Sequence, residues 1–146
     1  MTTEELLKLD YNRQNQYIFY VGRLASFTRT WPHRNNPNLS PEKMAEAGFY
    51  FNADFSHGDN VKCAFCFKEL WDWQDNDDPI EEHRKRKPTC IFTQLDKAET
   101  EYTIGDFLRL VAANRLHIML ERASLDVADM RILKAKATKT LKYLAK

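Results

Sequence analysis

The sequence predicts an α+β protein, in which short helices surround a three-stranded antiparallel sheet and one long C-terminal helix follows. Two observations lead to this fold class. Residues 49–51 and 61–71 are aromatic and β-favouring, and the turn formers Gly58-Asp59-Asn60 lie between them, which is typical of short antiparallel strands. Beyond Thr103, apolar residues recur at steps of three and four over roughly 40 residues, the period of a helix that packs along its length.

The short helices are predicted from their end signals. The apolar spacing of residues 17–27 indicates a first helix, which ends before Trp31-Pro32. Ser40 as N-cap and Pro41 at the first helical position begin a second, and Gly48 suits its C-terminal end. A third begins with Asp78-Pro79, where Glu81 occupies the capping-box position.

These signals divide the chain into four parts. We expect a flexible N-terminal segment over residues 1–16, a compact domain over 17–95, a linker over 96–102 that takes part in dimerisation, and a long amphipathic helix over 103–146. The net charge is −4 before Thr103 and +5 from there onward, which favours a partner of mixed charge. The Lys134, Lys136, Lys139 and Lys142 side chains indicate a solvated helix edge, so direct nucleic-acid contact is not expected.

The compartment follows from what the sequence lacks. Residues 1–16 have no apolar core of signal-peptide length. The sequence contains no run of about 18 apolar residues, so no membrane span is predicted. Three cysteines without a secretory signal argue against a disulfide framework. A reducing compartment, cytosol or nucleus, is therefore predicted.

The apolar stripe of the long helix predicts a partner-binding face. A helix of roughly 40 residues would be about 60 Å long, which is more than the rest of the chain can cover. The alternative is a helical hairpin, which is disfavoured because no glycine or proline turn follows Gly105. The predicted partner face comprises Leu116, Leu120, Val127, Met130, Leu133 and Leu141.

A zinc site is predicted from Cys63, Cys66, His83 and Cys90, which use every cysteine of the chain. Three thiolates and an imidazole form a closed tetrahedral structural site with no open coordination position. The alternative for Cys63-x-x-Cys66 is a redox pair, but such a pair favours a helix start rather than a strand-rich turn. Glu82 would have no metal-bound water to activate, and no hydrolase or P-loop motif occurs, so no enzymatic activity is predicted.

These residues carry a resemblance to a known family. The pattern Gly48-x2-Phe51 with Asp59-x3-Cys63-x2-Cys66-x6-Trp73-x9-His83-x6-Cys90 resembles the baculoviral inhibitor-of-apoptosis repeat, with Phe51 in place of its usual tyrosine, and Arg23 matches the family's arginine. The stretches that begin at Pro41, Cys66, Asp77 and Thr103 resemble the survivin family in particular. One repeat followed by one long helix is also the layout of that family.

The resemblance implies a mitotic adaptor of the chromosomal passenger complex. The repeat would read the N-terminus of histone three, Ala-Arg-Thr with phosphate on the threonine. The long helix would bundle with borealin and the inner centromere protein, which connects the chain indirectly to Aurora B kinase. The implied locations are the nucleus, the centromere, the spindle midzone and midbody, and also the cytoplasm.

The resemblance also implies a set of peptide-binding residues. Asp77 would contact the free amine, Leu70 and Trp73 would line a pocket for the alanine methyl, and Lys68 and Arg86 would bind the phosphate. The carboxylates that follow the zinc turn suit an ammonium group, and arginine binds phosphate through two hydrogen bonds. Trp71 stands where the family commonly has an acidic residue. The complete predicted set is Lys68, Leu70, Trp71, Trp73, Asp77, Glu82 and Arg86.

Two further expectations rest on the same resemblance. The free chain would form a homodimer through Tyr17, Ile18, Ile104, Phe107 and Leu108. The main alternative function is an apoptosis inhibitor that binds caspases or the Ala-beginning tails of pro-apoptotic proteins, through the same amine pocket. A zinc ubiquitin ligase is disfavoured because the sequence has no second metal module.

Overall fold

The computed structural model describes residues 1–144. Over these residues the chain folds into six α-helices, three β-strands and one 3₁₀ turn. In chain order these are α1 (Thr3–Asn15), α2 (Tyr20–Ser26), α3 (Pro41–Glu46), β1 (Phe49–Phe51), β2 (Val61–Cys63), β3 (Glu69–Leu70), α4 (Pro79–Arg84), α5 (Ile91–Leu95), the 3₁₀ turn Glu99–Glu101, and α6 (Ile104–Leu144). The predicted α+β class is confirmed.

The sheet is antiparallel and has the strand order β1-β2-β3. Phe49 pairs with Cys63, and Val61 pairs with both Phe51 and Leu70. Both faces of β1 contribute to the buried interior through Phe49 and Tyr50, and α2 and α3 pack against this strand. The register places Cys63, at the end of β2, beside the helices that follow β3.

The core is built from large apolar side chains and one buried cation. Trp31, Phe49 and Phe65 are almost fully buried. The Arg23 guanidinium is also buried, and it donates hydrogen bonds to the carbonyls of Ala45, Tyr17 and Ile18. Since a buried charge is costly unless it is hydrogen-bonded, these three bonds explain how Arg23 is tolerated inside the domain. They also tie the turn before α2 to α3.

The predicted helix ends are largely observed. The Ser40 hydroxyl accepts a hydrogen bond from the Lys43 N–H at 3.3 Å, and Asp78 accepts one from the Ile80 N–H at 3.0 Å. Gly48 has φ +91°, and a Cβ there would lie 2.9 Å from the Phe92 ring. Glu81, predicted to complete a capping box, forms an ion pair with Arg84. Because Glu81 pairs with Arg84, it does not complete the predicted capping box.

The N-terminal segment differs from the expectation. Residues 1–16 were predicted to be flexible, whereas the structure places α1 there, with a capping box between Thr2 and Glu5. Asp10 forms an ion pair with Arg122, and Arg115 donates to Asn15, so α1 runs antiparallel to α6. Because these contacts are polar and lie about 100 residues away in sequence, the local pattern of residues 1–16 gave no indication of them.

The first predicted helix begins later than expected. It starts at Tyr20 rather than Tyr17, because residues 16–19 form the turn between α1 and α2. In the predicted linker, Asp96 has a left-handed backbone with φ 45°, and the Glu99 carboxylate accepts a hydrogen bond from the Tyr20 N–H at 2.8 Å. The linker is thus attached to the start of α2.

Helix α6 is one uninterrupted helix of 41 residues. Asp106, Leu110, Asn114 and Ile118 are buried at steps of four, and the Thr103–Asp106 hydrogen bonds cap the helix reciprocally. From residue 123 to residue 144 every side chain is exposed, and no hairpin forms in this part of the chain. Ala145 and Lys146, the end of the predicted helix, lie outside the described residues. Among the described helices, none has the length and apolar character that a membrane crossing requires.

Candidate metal centre and peptide-binding surface

Four elements bring the predicted zinc ligands together. Cys63 ends β2, Cys66 lies in the tight turn before β3, His83 lies in α4, and Cys90 precedes α5 as its N-cap. The turn is closed by a hydrogen bond from the Phe67 N–H to the Cys63 carbonyl at 3.1 Å, and Phe67 has φ 59°. This closure aims the Cys63 and Cys66 sulfurs to one side.

The ligand atoms fit a tetrahedral zinc ion. The three sulfurs and one imidazole nitrogen all lie within 4.8 Å of one another. The Cys63 and Cys90 sulfurs are 3.9 Å apart, and the Cys66 sulfur is 3.4 Å from His83 Nε2. Bonds of about 2.3 Å to sulfur and about 2.0 Å to nitrogen, at tetrahedral angles, require separations of roughly 3.8 and 3.5 Å. The predicted zinc site is confirmed.

The surroundings of the ligands support a structural ion. His83 Nδ1 lies 2.8 Å from the Ala47 carbonyl, so Nδ1–H donates and Nε2 is left free for the metal. Burial raises the pKa of the Cys63 thiol, whereas hydrogen bonds from Cys63 and Cys90 lower the pKa of Cys66. Three thiolates and a histidine occupy all four tetrahedral positions, so the ion would hold the fold together without activating water.

The acidic side of the predicted peptide site lies near α4. The Asp77 carboxylate accepts a hydrogen bond from the Gln74 N–H at 2.8 Å. Asp77 also lines a cleft of about 560 Å³, but none of the other predicted peptide-binding residues lines that cleft. Glu82 forms an ion pair with Lys85. The hydrogen bond from Lys85 to Glu82, together with the nearby Asp77 charge, raises the pKa of Lys85. Lys85, which no sequence motif marks, is therefore paired with Glu82 and would compete with a peptide amine for that carboxylate.

The basic side of the site involves Lys68 and Arg86. The Lys68 ammonium donates to the Pro88 carbonyl, which brings it to the loop that carries Arg86. Arg86 is exposed on that loop. The structure thus puts Lys68 beside the loop that carries Arg86, although 18 residues separate the two in sequence.

The apolar part of the site surrounds the end of β3. Leu70 and Trp73 are buried in the core, and Trp73 packs edge-on against Phe49 with ring centroids 5.9 Å apart. Trp71 is 48% exposed, and it packs against the His57 ring at a centroid distance of 4.4 Å, with the ring planes tilted by 37°. His57 was not predicted to belong to the site, since nothing in the sequence relates the β1–β2 loop to Trp71.

Asp59 fixes the backbone of this region. Its carboxylate accepts hydrogen bonds from the N–H groups of Asp72 at 3.0 Å and Trp73 at 2.9 Å, and it lies 3.2 Å from His33 Nε2. Burial alone would raise the pKa of Asp59, but the two backbone hydrogen bonds outweigh it and lower the pKa. The charged carboxylate therefore holds the chain between Trp71 and Trp73 in one conformation.

The predicted dimer residues divide into two groups. Ile104 is 81% exposed, Leu108 is also exposed, and Phe107 stacks on Phe19 with ring centroids 5.6 Å apart. Ile18, by contrast, is buried in the core, and Tyr17 stacks on Tyr50 at 3.8 Å. Ile18 must be removed from the predicted surface, because the turn after α1 packs it beneath α2.

All six residues of the predicted partner face of α6 are exposed. They share one side of the helix and are not covered by α1 or the zinc domain: Leu116, Leu120, Val127, Met130, Leu133 and Leu141. Ile118, on the side that faces α1, is buried. The helix therefore has one side inside the molecule and a separate apolar side in solvent.

Comparisons with known proteins match the zinc domain. Residues 23–94 match the BIR family, the Inhibitor of Apoptosis domain. Baculoviral IAP repeat-containing protein 5.2 of Xenopus tropicalis is 46% identical over 88 residues, which cover 60% of this chain and 56% of that protein. Baculoviral IAP repeat-containing protein 5 of Mus musculus is 44% identical over 88 residues, which cover 60% of this chain and 62% of that protein. The match thus spans little more than half the length of these relatives.

A solved structure, the BIR1 domain of DIAP1 bound to a Grim peptide, is 32% identical in sequence. The matched region covers 56% of this chain and 77% of the DIAP1 chain, with a TM-score of 0.46. A second structure, the autoinhibited BIR1 domain of dIAP1, is 30% identical over 62% of this chain and 88% of that chain, with a TM-score of 0.45.

The Cys₃His site and the family match together define a BIR domain, so the chain belongs among the BIR-domain proteins. Within that class, the resemblance to survivin is confirmed. The matched region is 44–46% identical to the baculoviral IAP repeat-containing protein 5 relatives of mouse and Xenopus, and one BIR domain followed by a long helix fits the survivin layout.

Proposed function

We propose that this protein is a non-enzymatic adaptor of the chromosomal passenger type, with two separate binding surfaces. The BIR domain reads the phosphorylated Ala-Arg-Thr N-terminus of histone three, and α6 bundles with helices of borealin and the inner centromere protein. Together they bring Aurora B kinase to centromeres. The corresponding locations are the nucleus, the centromere, the spindle midzone and the midbody, with a cytoplasmic pool.

The observation that carries this proposal is the exposed apolar side of α6. The helix leaves the domain after Ile118 and continues to Leu144, and its apolar residues remain at steps of three and four in solvent. A domain that only blocked another protein through its zinc region would not need this extension. Helices with such a stripe are stabilised when a partner helix covers it.

The arrangement of charge near the zinc domain supports the peptide half of the proposal. Asp77 and Glu82 would provide carboxylates for a free ammonium group, whereas Lys68 and the exposed Arg86 would provide donors for a phosphate. Ion pairs and charge-assisted hydrogen bonds of this kind are stronger than neutral ones. A peptide with an amine at one end and a phosphate two residues later would satisfy both groups.

Co-expression with helical segments of borealin and the inner centromere protein tests the helix half. Met130→Glu should prevent a stable complex from forming in gel filtration with light scattering, because it puts a charge into the apolar contact. Ala128→Glu is the matched control, since two residues on a helix differ by about 200° and Ala128 lies on the other side. If both variants formed the complex equally well, the exposed apolar side of α6 would not be the partner-binding surface.

The free chain is also proposed to dimerise through the exposed side chains near the start of α6. Ile104 and Leu108 are exposed, and Phe107 with Phe19 forms an aromatic pair beside them. Ile104→Asp should convert a dimer into a monomer in light scattering, and a wild-type monomer would contradict the proposal.

The alternative function is inhibition of apoptosis. The family match to the Inhibitor of Apoptosis domain favours it, and the same amine pocket would take the Ala-beginning tail of a pro-apoptotic protein. Such a ligand would need no phosphate, so the phosphate dependence of peptide binding separates the two functions.

A further inference from the structure

Helix α6 carries a second apolar stripe, which is separate from the partner face described above. Ile118, Leu125 and Ile132 recur at steps of seven, the spacing with which one helix packs along another. Leu125 is about 140° around the helix from Met130 of the partner face. Ile118 is buried, whereas Leu125 and Ile132 are about half exposed. The second stripe is therefore covered at its first residue and largely open beyond it.

Helix α1 lies over the beginning of this second stripe. Asp10 and Gln14 of α1 line a small cavity of about 250 Å³ together with Ile118 and Leu125 of α6. The Asp10 carboxylate also forms an ion pair with Arg122, one turn beyond Ile118. A second helix that packed along the whole stripe would therefore need the place that α1 holds.

Polar contacts, rather than apolar burial, hold α1 on α6. No residue of α1 is buried. The Arg115 guanidinium lies 4.6 Å from the centre of the Tyr11 ring and donates to the Tyr11 carbonyl at 3.4 Å. The Asn114 amide donates to the Gln14 side chain at 3.5 Å. Such ion pairs and long hydrogen bonds contribute less net free energy than the burial of large apolar side chains, so a helix with an apolar face could replace α1.

We propose that α1 is an internal substitute for a partner helix, and that a partner helix displaces α1 when the helix bundle forms. This inference rests on the proposed function, because it adds a regulatory step to the binding of partners by α6. A helix that covers Ile118, Leu125 and Ile132 together must displace α1, since both would occupy the same side of α6. While α1 is docked, it keeps Ile118 out of solvent in the free chain and lowers the apparent affinity for the partner helix.

The residues that border the second stripe define the chemistry of the incoming helix. Arg115 and Arg122 border it seven residues apart, and both contact α1 in the free chain. When α1 leaves, these two cations lose their partners. The incoming helix would therefore carry carboxylates on this border, as Asp10 does now, and apolar residues at steps of three and four. Ala128 lies on the opposite border, where paired helices commonly carry charge, so a glutamate there is compatible with the contact.

Hydrogen exchange followed by mass spectrometry tests the displacement. The full chain is compared alone and bound to the helical segments of borealin and the inner centromere protein. In the complex, the backbone amides of residues 5–15 should exchange at least about tenfold faster than in the free chain, whereas those of residues 118–132 should exchange more slowly. If α1 kept its protection in the complex, the displacement would be overturned and the proposed function would stand.

Asp10→Arg tests the competition between α1 and the partner helix. It replaces the ion pair with Arg122 by a repulsion, so α1 is released and fluorescently labelled partner segments should bind about fivefold more tightly in anisotropy titrations. Glu4→Arg is the matched control, because it makes the same charge change in α1 but Glu4 pairs with Lys8 of its own helix. Its affinity should stay within about twofold of the wild type. Zinc content confirms that each variant is folded.

The outcomes separate the inference from the proposed function. If Asp10→Arg binds the partner segments no more tightly than the wild type, α1 does not compete for α6 and the inference is overturned, while the proposed function stands. An equal gain in Glu4→Arg would mean a general charge effect and would overturn it as well. If neither the wild type nor Asp10→Arg binds the partner segments, the proposed function fails and the inference fails with it.

Discussion

Ile118 and Leu120 lie two residues apart on α6, with opposite environments. Ile118 is 3% exposed between α6 and the rest of the molecule, whereas Leu120 is 51% exposed. Ile118→Ala removes three buried carbon atoms, which costs about 2.4 kcal/mol in transfer free energy at about 0.8 kcal/mol for each methylene. With the cavity left behind, the loss of unfolding free energy should be about 2–4 kcal/mol. Leu120→Ala should cost about 1 kcal/mol or less, because half of its side chain is already in water.

Urea denaturation of the zinc-loaded protein measures the difference. The fluorescence of Trp31 and Trp73, both in the core, reports unfolding of the domain, and a fixed excess of zinc keeps the metal contribution constant. With a slope of about 2 kcal/mol per molar urea, Ile118→Ala should lower the midpoint by about 1–2 M, and Leu120→Ala by about 0.5 M or less. Similar shifts for the two variants would refute the assignment of one side of α6 to the core and the other to partners.

Three further predictions concern the metal, one turn and the N-terminal helix. Chelation of zinc, or Cys90→Ser, should abolish the near-ultraviolet circular dichroism of the domain, because binding of a structural ion contributes directly to folding. Added zinc should restore the signal only in the wild type. A chelated protein that keeps its signal would contradict this prediction. Gly48→Ala should destabilise the domain by about 1–3 kcal/mol, since the backbone has φ +91° and the new Cβ would meet Phe92 at 2.9 Å. Gly58→Ala is the control, because the space around Gly58 is open. Deletion of residues 1–16 should lower the urea midpoint and increase hydrogen exchange around Ile118, because α1 covers that side of α6; unchanged exchange would contradict the docking of α1.

The metal centre could be predicted from sequence because its chemistry is local. Cys63-x-x-Cys66 and the cap signal at Asp78 each depend on a few adjacent residues, and all four ligands were identified. The docking of α1 could not be predicted, because it depends on pairs such as Asp10 with Arg122, which only the folded chain brings together. A polar segment with no apolar stripe gives no pattern for such contacts.

The peptide surface likewise combines residues that the sequence predicts with contacts that only the folded chain creates. Trp71 was predicted as a member of the site, but its partner His57 lies in another loop, and the pairing depends on the register of the sheet. Lys85 was not predicted because its importance comes from its distance to Glu82 and not from a motif. The burial of Ile18 similarly depends on where α2 begins, and helix boundaries are set partly by tertiary contacts.

Calorimetric titration with a free-N-terminal Ala-Arg-Thr peptide, with and without phosphate on the threonine, tests whether the BIR domain reads a phosphorylated histone tail. The zinc-loaded wild type should bind the phosphorylated form about tenfold more tightly, since Lys68 and Arg86 would form charge-assisted hydrogen bonds with the phosphate. Asp77→Ala should abolish binding of both forms, and Lys68→Ala with Arg86→Ala should remove only the preference for phosphate. Equal affinity for the two forms, or binding of neither, would contradict a histone-reading adaptor and would favour the alternative ligands of an apoptosis inhibitor.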